Sequence, residues 1–226
     1  FKGISKNFDK HISQSVPLYR ESHQLVCSLT DFFIGDSSVI VDIGSSTGNL
    51  IKDIAMRQSH ITDINFYLVD EVLEMIEYSR NLINEKQICQ AHIFNYINES
   101  IVNYELPVDV SIISAMYTIQ FISPSIRQVI IDKIYNSLSW GGAFFFFEKT
   151  NGNDARFHEI LLQNYEDIKI KNGFSLEEIK SKQLALRGVL KPFSSAGNLD
   201  LLKRAGFVDI QIIFRYGMFE GILAIK

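Results

Sequence analysis

Cysteine is scarce in this sequence, whose 226 residues contain only Cys27 and Cys89. The two lie far apart, no C-x-x-C motif is present, and no histidine stands at zinc-ligand spacing. These absences argue against a disulfide framework and against a zinc site, so we predict no metal ion. We expect two buried thiols in a reducing cytoplasm.

Long apolar runs are also missing. No stretch approaches the roughly 20 residues that a membrane-spanning helix requires, and no signal-peptide pattern opens the chain. The numbering begins at Phe1, so we expect the natural protein to start further upstream. The sequence predicts a cytoplasmic protein with no membrane partner.

An excess of positive charge is absent as well. Lysine and arginine number 22 against 26 aspartates and glutamates, a net charge of −4, and the basic residues are scattered. Nucleic-acid-binding surfaces are usually strongly basic, so a nucleic-acid partner is disfavoured. The chain is 46% hydrophobic, enough to bury one large core, and we predict a single domain over residues 1–226.

The middle of the chain alternates short β-branched or aromatic runs with longer helical patterns, which is typical of βαβ units around a parallel sheet. Strands are predicted at residues 39–43, 65–69, 91–94, 108–114 and 143–147. Helices are predicted at residues 73–85 and 125–138, the second stopped by the glycines of Trp140-Gly141-Gly142. The phenylalanine run 144–147 is predicted to be core, because neighbouring side chains of a strand point to opposite covered faces.

The two ends of the chain and one internal segment depart from this rhythm. Residues 208–226 hold two alternating runs separated by Tyr216-Gly217, which predicts an antiparallel pair at one end of the sheet. Residues 1–36 are predicted to be helical with a break at Val16-Pro17. Residues 151–200 are predicted to form two or three helices, one of them begun by a capping box of Ser175 and Glu178. Both helical regions are interpreted as lids over the carboxyl ends of the strands, where open α/β sheets bind ligands.

The segment VDIGSSTG, residues 41–48, joins the first strand to the first helix. Gly44 and Gly48 permit positive φ and let a ligand lie against the backbone. Asp70 ends the second strand beside this loop, where a carboxylate can accept both hydroxyls of a ribose. Asp42 repels a phosphate and suits an ammonium or sulfonium, which favours S-adenosyl-L-methionine over a dinucleotide. A purely structural interpretation stays open, in which the glycines form a tight turn and Asp70 caps a helix.

With these features, the chain resembles the class I S-adenosyl-L-methionine-dependent methyltransferases. Within that class it resembles, over nearly its whole length, the carboxy-S-adenosyl-L-methionine synthases and the methyltransferases most similar to them. This resemblance implies a Rossmann-like α/β fold with a seven-stranded, mostly parallel sheet whose last strand is antiparallel, and a homodimer. The stretches that carry it are SVPLY (15–19), VDIGSSTG (41–48), YLVDEVLEMIE (67–77), YTIQFISPSIRQVIIDKIYNSLSWGGAFFFFEK (117–149) and KNGFSLEEI (171–179).

Position by position, the resemblance also implies a cofactor site. Tyr19 would lie near the methionine part of the cofactor, Asp70 would bind the ribose, and Asn95 with Tyr96, placed after the third strand, would face the adenine. The loop residues that would line the cofactor, together with the acid before them and the residue after the fourth strand, are Asp42, Gly44, Ser45, Ser46, Gly48 and Met116.

Two departures from the synthase pattern bear on the reaction. Gln183 stands where the synthases carry an arginine for the extra carboxylate of their modified cofactor, and Met116 stands where they carry an asparagine. A neutral amide is a poor substitute for a bidentate cation at a carboxylate. Arg187, one helical turn beyond Gln183, could reach the same space. We therefore predict methyl transfer to a small or carrier-bound metabolite, with S-adenosyl-L-homocysteine as product.

Alternative functions remain. The first is a carboxy-S-adenosyl-L-methionine synthase, which uses prephenate as carboxyl donor and serves wobble-uridine modification of tRNA. The second is a nucleoside-binding scaffold without turnover. Methyl transfer from a sulfonium needs mainly positioning in a dry pocket, so a general base is optional.

The residues proposed for the acceptor side are of three kinds. Candidate bases are His11, His23, His158, Tyr117 and Glu148. Candidate contacts of the acceptor are Gln120, Gln183 and Arg187. The aromatic residues of the lids, which would form an apolar acceptor pocket, are Phe8, Phe157, Tyr165, Phe174 and Phe193.

Overall fold

The computed structural model describes residues 5–86 and 92–226. The strands are β1 (Val39–Ile43), β2 (Asn65–Val69), β3 (Ile93–Ile97), β4 (Val110–Met116), β5 (Leu138–Lys149), β6 (Asp209–Tyr216) and β7 (Phe219–Ile225). The α-helices are α1 (Ser5–Ser15), α2 (Tyr19–Leu29), α3 (Asn49–Arg57), α4 (Leu73–Glu85), α5 (Pro124–Ser137), α6 (Ala155–Lys171), α7 (Leu176–Ala185) and α8 (Ser195–Ala205). Short 3₁₀ turns cover Thr30–Phe32 and Ile119–Phe121.

The seven strands form one sheet in the order β3-β2-β1-β4-β5-β7-β6. The pairs from β3 through β5 are all parallel, whereas β7 runs antiparallel to both β5 and β6. The predicted Rossmann-like α/β fold, with its mostly parallel sheet and antiparallel last strand, is confirmed. Because the order reverses direction at β1 and β4, a crevice opens at the carboxyl ends of these two strands.

The core lies on both faces of the sheet. Phe145 and Phe147 point into the cluster shared with α2 and α3, while Phe144 and Phe146 point into the cluster shared with α5 and α8. All four are at most 1% exposed, so the phenylalanine run is core as predicted. Cys27 is a buried free thiol, and Cys89 lies outside the described residues.

Several element boundaries differ from the sequence prediction. The strand predicted at residues 91–94 runs from 93 to 97, and residue 91 lies outside the described part of the chain. The strand predicted at 108–114 is shifted to 110–116, and the one predicted at 143–147 extends over 138–149. The helix predicted to reach the glycines after Trp140 ends at Ser137. Pairing of Leu138 with Val110, and a hydrogen bond from Gly141 N to Lys226 O, extend the chain there instead.

The helical regions follow their predicted sequence signals. The break at Val16-Pro17 separates α1 from α2, and Ser175 with Glu178 forms a complete capping box at the start of α7. In the segment 151–200, however, only α6 and α7 border the crevice. Helix α8 packs against α5 on a face of the sheet and buries Leu201 and Leu202 there. None of the helices in the described ranges combines the length and hydrophobicity needed to cross a bilayer.

Candidate active site

A cavity of about 700 Å³ lies at the carboxyl ends of the central strands. Its floor is formed by residues at or just beyond the carboxyl ends of four strands, among them Asp42, Asp70, Met116 and Lys149. Residues of α1, α2, α6 and α7 form its other walls. Parts of both helical regions that the sequence predicted as lids therefore border the cavity.

The loop between β1 and α3 approaches the cavity with unusual backbone geometry. Gly44, Ser46 and Gly48 all have positive φ, at 71°, 50° and 76°. A Cβ at Gly44 would collide with the side chain of Thr118, and a Cβ at Gly48 would lie 2.7 Å from that of Ser79 on α4. Gly44 therefore brings the loop close to the end of β4, whereas Gly48, which does not line the cavity, lets α3 pack against α4.

Asp70 joins the glycine loop to the start of α4. Its Oδ2 accepts a hydrogen bond from Ser46 N at 2.9 Å, and its Oδ1 accepts one from Val72 N, also at 2.9 Å. Burial raises the pKa of this carboxyl, while the two backbone amides oppose the shift. The capping interaction that a structural interpretation expects is thus present. Each oxygen has further acceptor capacity, so the same carboxylate can also bind hydroxyls in the cavity.

Asp42 is only 3% exposed at the end of β1. Its Oδ1 accepts a hydrogen bond from Ser114 Oγ at 2.7 Å. Burial raises the pKa of the carboxyl to about 7, with Asp70 adding to the shift and Ser114 opposing it. A buried carboxyl of this kind gains most from a cation placed beside it.

Two further polar groups on the cavity wall lack a hydrogen-bond partner within the described residues. Ser45 Oγ and His23 Nε2 are buried, and neither forms a hydrogen bond within residues 5–86 and 92–226. Both residues line the cavity, as does Tyr19, whose ring centroid lies 4.3 Å from that of His23, with the two rings tilted by 46°. Buried polar groups normally find partners, so these atoms fit a ligand rich in polar groups. Together with Asp42 and Asp70, they suit a cationic nucleoside such as S-adenosyl-L-methionine.

Helix α1 is hydrogen-bonded directly to the glycine loop. Asp9 accepts hydrogen bonds from Thr47 Oγ1 at 2.7 Å and from Asn49 Nδ2 at 2.8 Å. Sequence reasoning missed this residue, because an aspartate in an amphipathic helix usually faces solvent. Only the fold brings residue 9 next to residues 47 and 49.

The adenine side differs from the prediction. Asn95 and Tyr96 lie within β3, and neither lines the cavity. The parallel register pairs Val69 with Ile97, so β3 ends level with β2 at residue 97. Asn95 donates to Phe66 O at 3.2 Å, and Tyr96 packs under Arg80. The residues after β3 that line the cavity are Glu99, Ser100, Ile101 and Val102.

Three predicted residues near the ends of β4 and β5, namely Tyr117, Gln120 and Glu148, lie in different environments. Tyr117, with φ 58°, lines the cavity yet is 5% exposed and packs in the core, and burial raises the pKa of its phenol. Gln120 also lines the cavity, but its amide donates to Tyr117 O at 3.1 Å and accepts from Lys149 N at 2.9 Å. It therefore ties the two strand ends together.

Glu148 does not line the cavity, contrary to the expectation for a strand end. It is 2% exposed, and burial raises the pKa of its carboxyl well above the ordinary value, against the effect of Arg127 and of the amides of residues 118–120. Because strand residues alternate between faces, the carboxyl of residue 148 lies beneath the 3₁₀ turn while Lys149 faces the cavity.

The three histidines proposed as bases occupy distinct positions. His11 does not line the cavity; its Nε2 lies 2.9 Å from Lys182 Nζ, and its pKa is lowered by burial and by that lysine. His23 lines the cavity and its pKa is lowered by burial to about 4. His158 lines the cavity on α6, and its Nδ1 accepts a hydrogen bond from Gly152 N at 3.4 Å.

On the lid side, Gln183 lines the cavity and donates a hydrogen bond to Glu166. Arg187 is exposed and does not line it. Of the five aromatic residues expected there, Phe8 and Tyr165 line the cavity. The others are placed elsewhere: Phe157 is 48% exposed, Phe174 packs edge-on against His11, and Phe193 lies under Arg127.

Three lysines on the cavity wall were not anticipated, namely Lys149, Lys169 and Lys182. They come from β5, α6 and α7, so no local motif in the sequence links them. The predicted site residues that the fold brings together around the cavity are Phe8, Tyr19, His23, Asp42, Gly44, Ser45, Ser46, Asp70, Met116, Tyr117, Gln120, His158, Tyr165 and Gln183.

The fold is shared with solved methyltransferases. A SAM-dependent methyltransferase from Aquifex aeolicus superposes with a TM-score of 0.60 at 14% identity, over 96% of each chain. This likeness shows that the chain has the fold of the S-adenosyl-L-methionine-dependent methyltransferases.

Sequence relatives define the family more narrowly. No protein-family model matches the chain. The carboxy-S-adenosyl-L-methionine synthase of Staphylococcus epidermidis is 35% identical over 98% of this chain and 93% of its own length. That of Nautilia profundicola is 33% identical over 99% of this chain and 92% of its own. The chain therefore belongs to the carboxy-S-adenosyl-L-methionine synthase family, and it is an enzyme.

Proposed function

We propose that this enzyme transfers the sulfonium methyl group of S-adenosyl-L-methionine to a small or carrier-bound acceptor by in-line displacement. The observation that supports this proposal is that position 183 holds a glutamine and not an arginine. Gln183 already donates to Glu166, and no arginine of the described residues lines the cavity. The bidentate cation that would hold an extra carboxylate on the cofactor is therefore lacking.

Bound S-adenosyl-L-methionine supplies a methyl group that is already activated on a sulfonium. In this proposal Asp70 accepts hydrogen bonds from the ribose hydroxyls, while Asp42 faces the cationic part of the cofactor. Tyr19 and Ser45 lie on the side of the methionine part. Glu99 and Ser100, rather than Asn95 and Tyr96, flank the adenine, because they follow β3 at the cavity.

The side chains around the acceptor act mainly by positioning. Burial keeps the phenol of Tyr117 protonated, so we assign it a role in orientation rather than proton removal. Gln120 fixes the strand ends that form the acceptor wall. Helices α1, α6 and α7 exclude water, and alignment of acceptor and donor in such a site can supply about 7–11 kcal/mol.

A second candidate function is carboxy-S-adenosyl-L-methionine synthesis from S-adenosyl-L-methionine and prephenate. Two observations favour it: the family to which the chain belongs, and the lysines on the cavity wall, whose ammonium groups could hold a carboxylate in place of the missing arginine. In this candidate the product would be a modified cofactor rather than a methylated acceptor.

Mass spectrometry of the ligand released from purified protein separates the two functions. Methyl transfer predicts S-adenosyl-L-methionine or S-adenosyl-L-homocysteine, and calorimetry is then expected to give tighter binding of the plain cofactor than of its carboxylated form. A ligand heavier by one carboxyl group, or formation of that ligand on adding prephenate, would establish the second function instead. The Gln183→Arg variant serves as a matched control, because it is expected to gain affinity for the carboxylated form.

The finer properties of the assembly are also proposals. The resemblance to the family supports a homodimer, and the single sheet supports one domain over residues 1–226 with helical lids. The low cysteine content supports a cytoplasmic location, and the net charge of −4 argues against a nucleic-acid partner. Light scattering coupled to size-exclusion chromatography tests the homodimer, for which a monomeric mass would be contrary evidence.

A further inference from the structure

Three ammonium groups from separate elements meet on one wall of the cavity. Lys149 ends β5, Lys169 lies on α6 and Lys182 lies on α7. Tyr165 connects two of them, because Lys149 Nζ lies 4.6 Å and Lys169 Nζ lies 4.4 Å from the centroid of its ring. The aromatic ring stabilises the cations partially but neutralises neither.

The positive charge of this cluster is only partly balanced by neighbouring carboxylates. Within residues 5–86 and 92–226, none of the three lysines forms a salt bridge. Lys182 Nζ contacts Ser15 Oγ at 2.8 Å and His11 Nε2 at 2.9 Å, both uncharged partners. Glu166, whose charge acts on Lys149 and Lys169, is hydrogen-bonded to Gln183.

Burial and, for Lys149 and Lys182, mutual repulsion lower the pKa values of these lysines. The pKa values of Lys149 and Lys182 are both lowered to about 8, chiefly by burial and then by the charge of Lys169. A partly buried cluster of like charges is unfavourable unless an anion offsets it. A carboxylate or a phosphate, which can accept hydrogen bonds from several ammonium groups at once, is such an anion.

We propose that Lys149, Lys169 and Lys182 form a subsite for an anionic group of the acceptor, either a carboxylate or a phosphate. In this proposal α1 couples the subsite to the glycine loop, residues 44–48, which is called the cofactor loop from here on. The acceptor as ligand rests on the proposed function. The position of the cluster favours the acceptor over the cofactor: β5 is two strands away from β1 in the sheet, a separation of roughly 10 Å.

Helix α1 supplies the physical connection between the two subsites. At one end of the helix, Ser15 contacts the lysine cluster, because its Oγ accepts from Lys182 and its carbonyl oxygen accepts from Tyr165 Oη at 2.8 Å. Towards the other end, Asp9 accepts hydrogen bonds from Thr47 of the cofactor loop and from Asn49 at the start of α3. An anion that draws α6 and α7 together against α1 therefore also holds the loop in place.

The coupling is reciprocal, so an anion bound by the lysines raises the affinity for S-adenosyl-L-methionine. Calorimetry of S-adenosyl-L-methionine binding, at constant ionic strength and near pH 7, tests this with inorganic phosphate and with acetate as separate probes. The affinity of the unmodified enzyme is expected to rise on the order of fivefold or more with at least one probe. The probe that acts identifies the chemistry of the anionic group.

Variants at the cluster make the test specific. Lys149→Gln and Lys182→Gln are expected to lose the effect of the anion on the affinity for S-adenosyl-L-methionine. Lys180→Gln is the matched control, because Lys180 lies on α7 like Lys182 but is exposed and outside the cavity. This variant is expected to keep the full effect of the anion on cofactor affinity. Unfolding curves of each variant verify that the fold is intact.

The outcomes that overturn the inference differ from those that overturn the proposed function. If S-adenosyl-L-methionine binds but neither anion changes its affinity, the subsite does not exist as described. If the lysine variants weaken binding of the cofactor itself without any anion, the cluster holds the carboxylate of the cofactor and not the acceptor. If the unmodified enzyme does not bind S-adenosyl-L-methionine at all, it is the proposed function that fails.

Discussion

Thr47 in the cofactor loop donates a hydrogen bond from its hydroxyl to Oδ1 of Asp9 on α1, across 2.7 Å. The pair joins two segments that are 38 residues apart in the chain. Because the other oxygen of Asp9 accepts from Asn49, a single carboxylate fixes both the loop and the start of α3 relative to the lid. Helix α1 of the N-terminal lid and the cofactor loop are therefore joined by hydrogen bonds through Asp9.

Replacing Asp9 by alanine is expected to weaken S-adenosyl-L-methionine binding about tenfold, since two hydrogen bonds to a charged group that hold the loop are lost. The same variant is expected to lose the effect of phosphate or acetate on that affinity. Calorimetry measures both. Lys10→Ala, an exposed neighbour on the same helix, is the control. Unchanged affinity in Asp9→Ala would show that α1 does not support the loop.

Replacing Asp70 by alanine is expected to lower the affinity for S-adenosyl-L-methionine by about tenfold to a hundredfold, because each hydrogen bond to a carboxylate contributes about 1.5–3 kcal/mol. Asp70→Asn keeps one carbonyl oxygen for Val72 N or for the ligand. Its affinity for S-adenosyl-L-methionine is expected to lie between those of the unmodified enzyme and of Asp70→Ala. Equilibrium binding with both S-adenosyl-L-methionine and adenosine gives the measurement. The assignment of Asp70 to the ribose would be wrong if adenosine bound equally well to all three proteins.

Asp42 is expected to make cofactor binding depend on pH. Burial raises the pKa of this carboxyl to about 7, so below that pH the free enzyme carries it protonated. A cationic ligand favours the ionised form, and binding near pH 6 should release a proton. The association constant should rise with pH, by up to about tenfold per unit, and level off above pH 7.

Calorimetry in buffers of different ionisation enthalpy counts the protons that are released on binding. Asp70, whose pKa burial also raises, faces the same cavity and adds to the pH dependence of binding. Asp42→Asn is therefore expected to remove the part of the pH dependence near pH 7 and to bind more weakly. Identical pH profiles in the two proteins would disprove the role of Asp42.

Glu148 is expected to affect stability rather than catalysis. Its pKa is raised by burial well above the ordinary 4.5, so the native protein keeps a proton that the unfolded chain loses. The free energy of unfolding should therefore fall as pH rises from about 4.5 through the folded pKa, by at most about 1.4 kcal/mol per unit. Glu148→Gln does not titrate and lacks this slope.

Urea denaturation of both proteins at pH 5, 6 and 7 tests this effect, because other titrating groups cancel in the difference between them. The stability of Glu148→Gln relative to the unmodified enzyme is expected to increase with pH. Turnover at pH 7 should be nearly unchanged, since the carboxyl does not line the cavity. A large loss of turnover with unchanged stability would restore Glu148 as a catalytic residue.

Much of the fold could be predicted from local patterns. Apolar periodicity separated the strands from the helices, and the Ser175 capping box and the Val16-Pro17 break marked helix ends that the structure confirms. The glycine loop with its neighbouring acids indicated where the cavity would lie. These signals are readable because each depends on residues that are close together in the chain.

The errors arose where pairing between distant segments decides the outcome. Asn95 and Tyr96 were placed beyond β3, but pairing with β2 extends that strand to Ile97. Glu148 was expected at the cavity, but strand alternation turns it towards Arg127 and the turn that covers it. A shift of one residue along a strand turns a side chain to the opposite face of the sheet.

The amino-acid sequence by itself determined the α/β architecture, the position of the cofactor loop and the buried nature of the phenylalanine strand, because hydrophobic periodicity and glycine conformations are local properties. Only the tertiary structure decided that Asp9 holds the loop and that Lys149, Lys169 and Lys182 share one wall of the cavity. Those residues come from α1, β5, α6 and α7, and no spacing along the chain records their proximity. Packing of the lids over the sheet creates the arrangement, and the charges acquire their significance from the burial that this packing imposes.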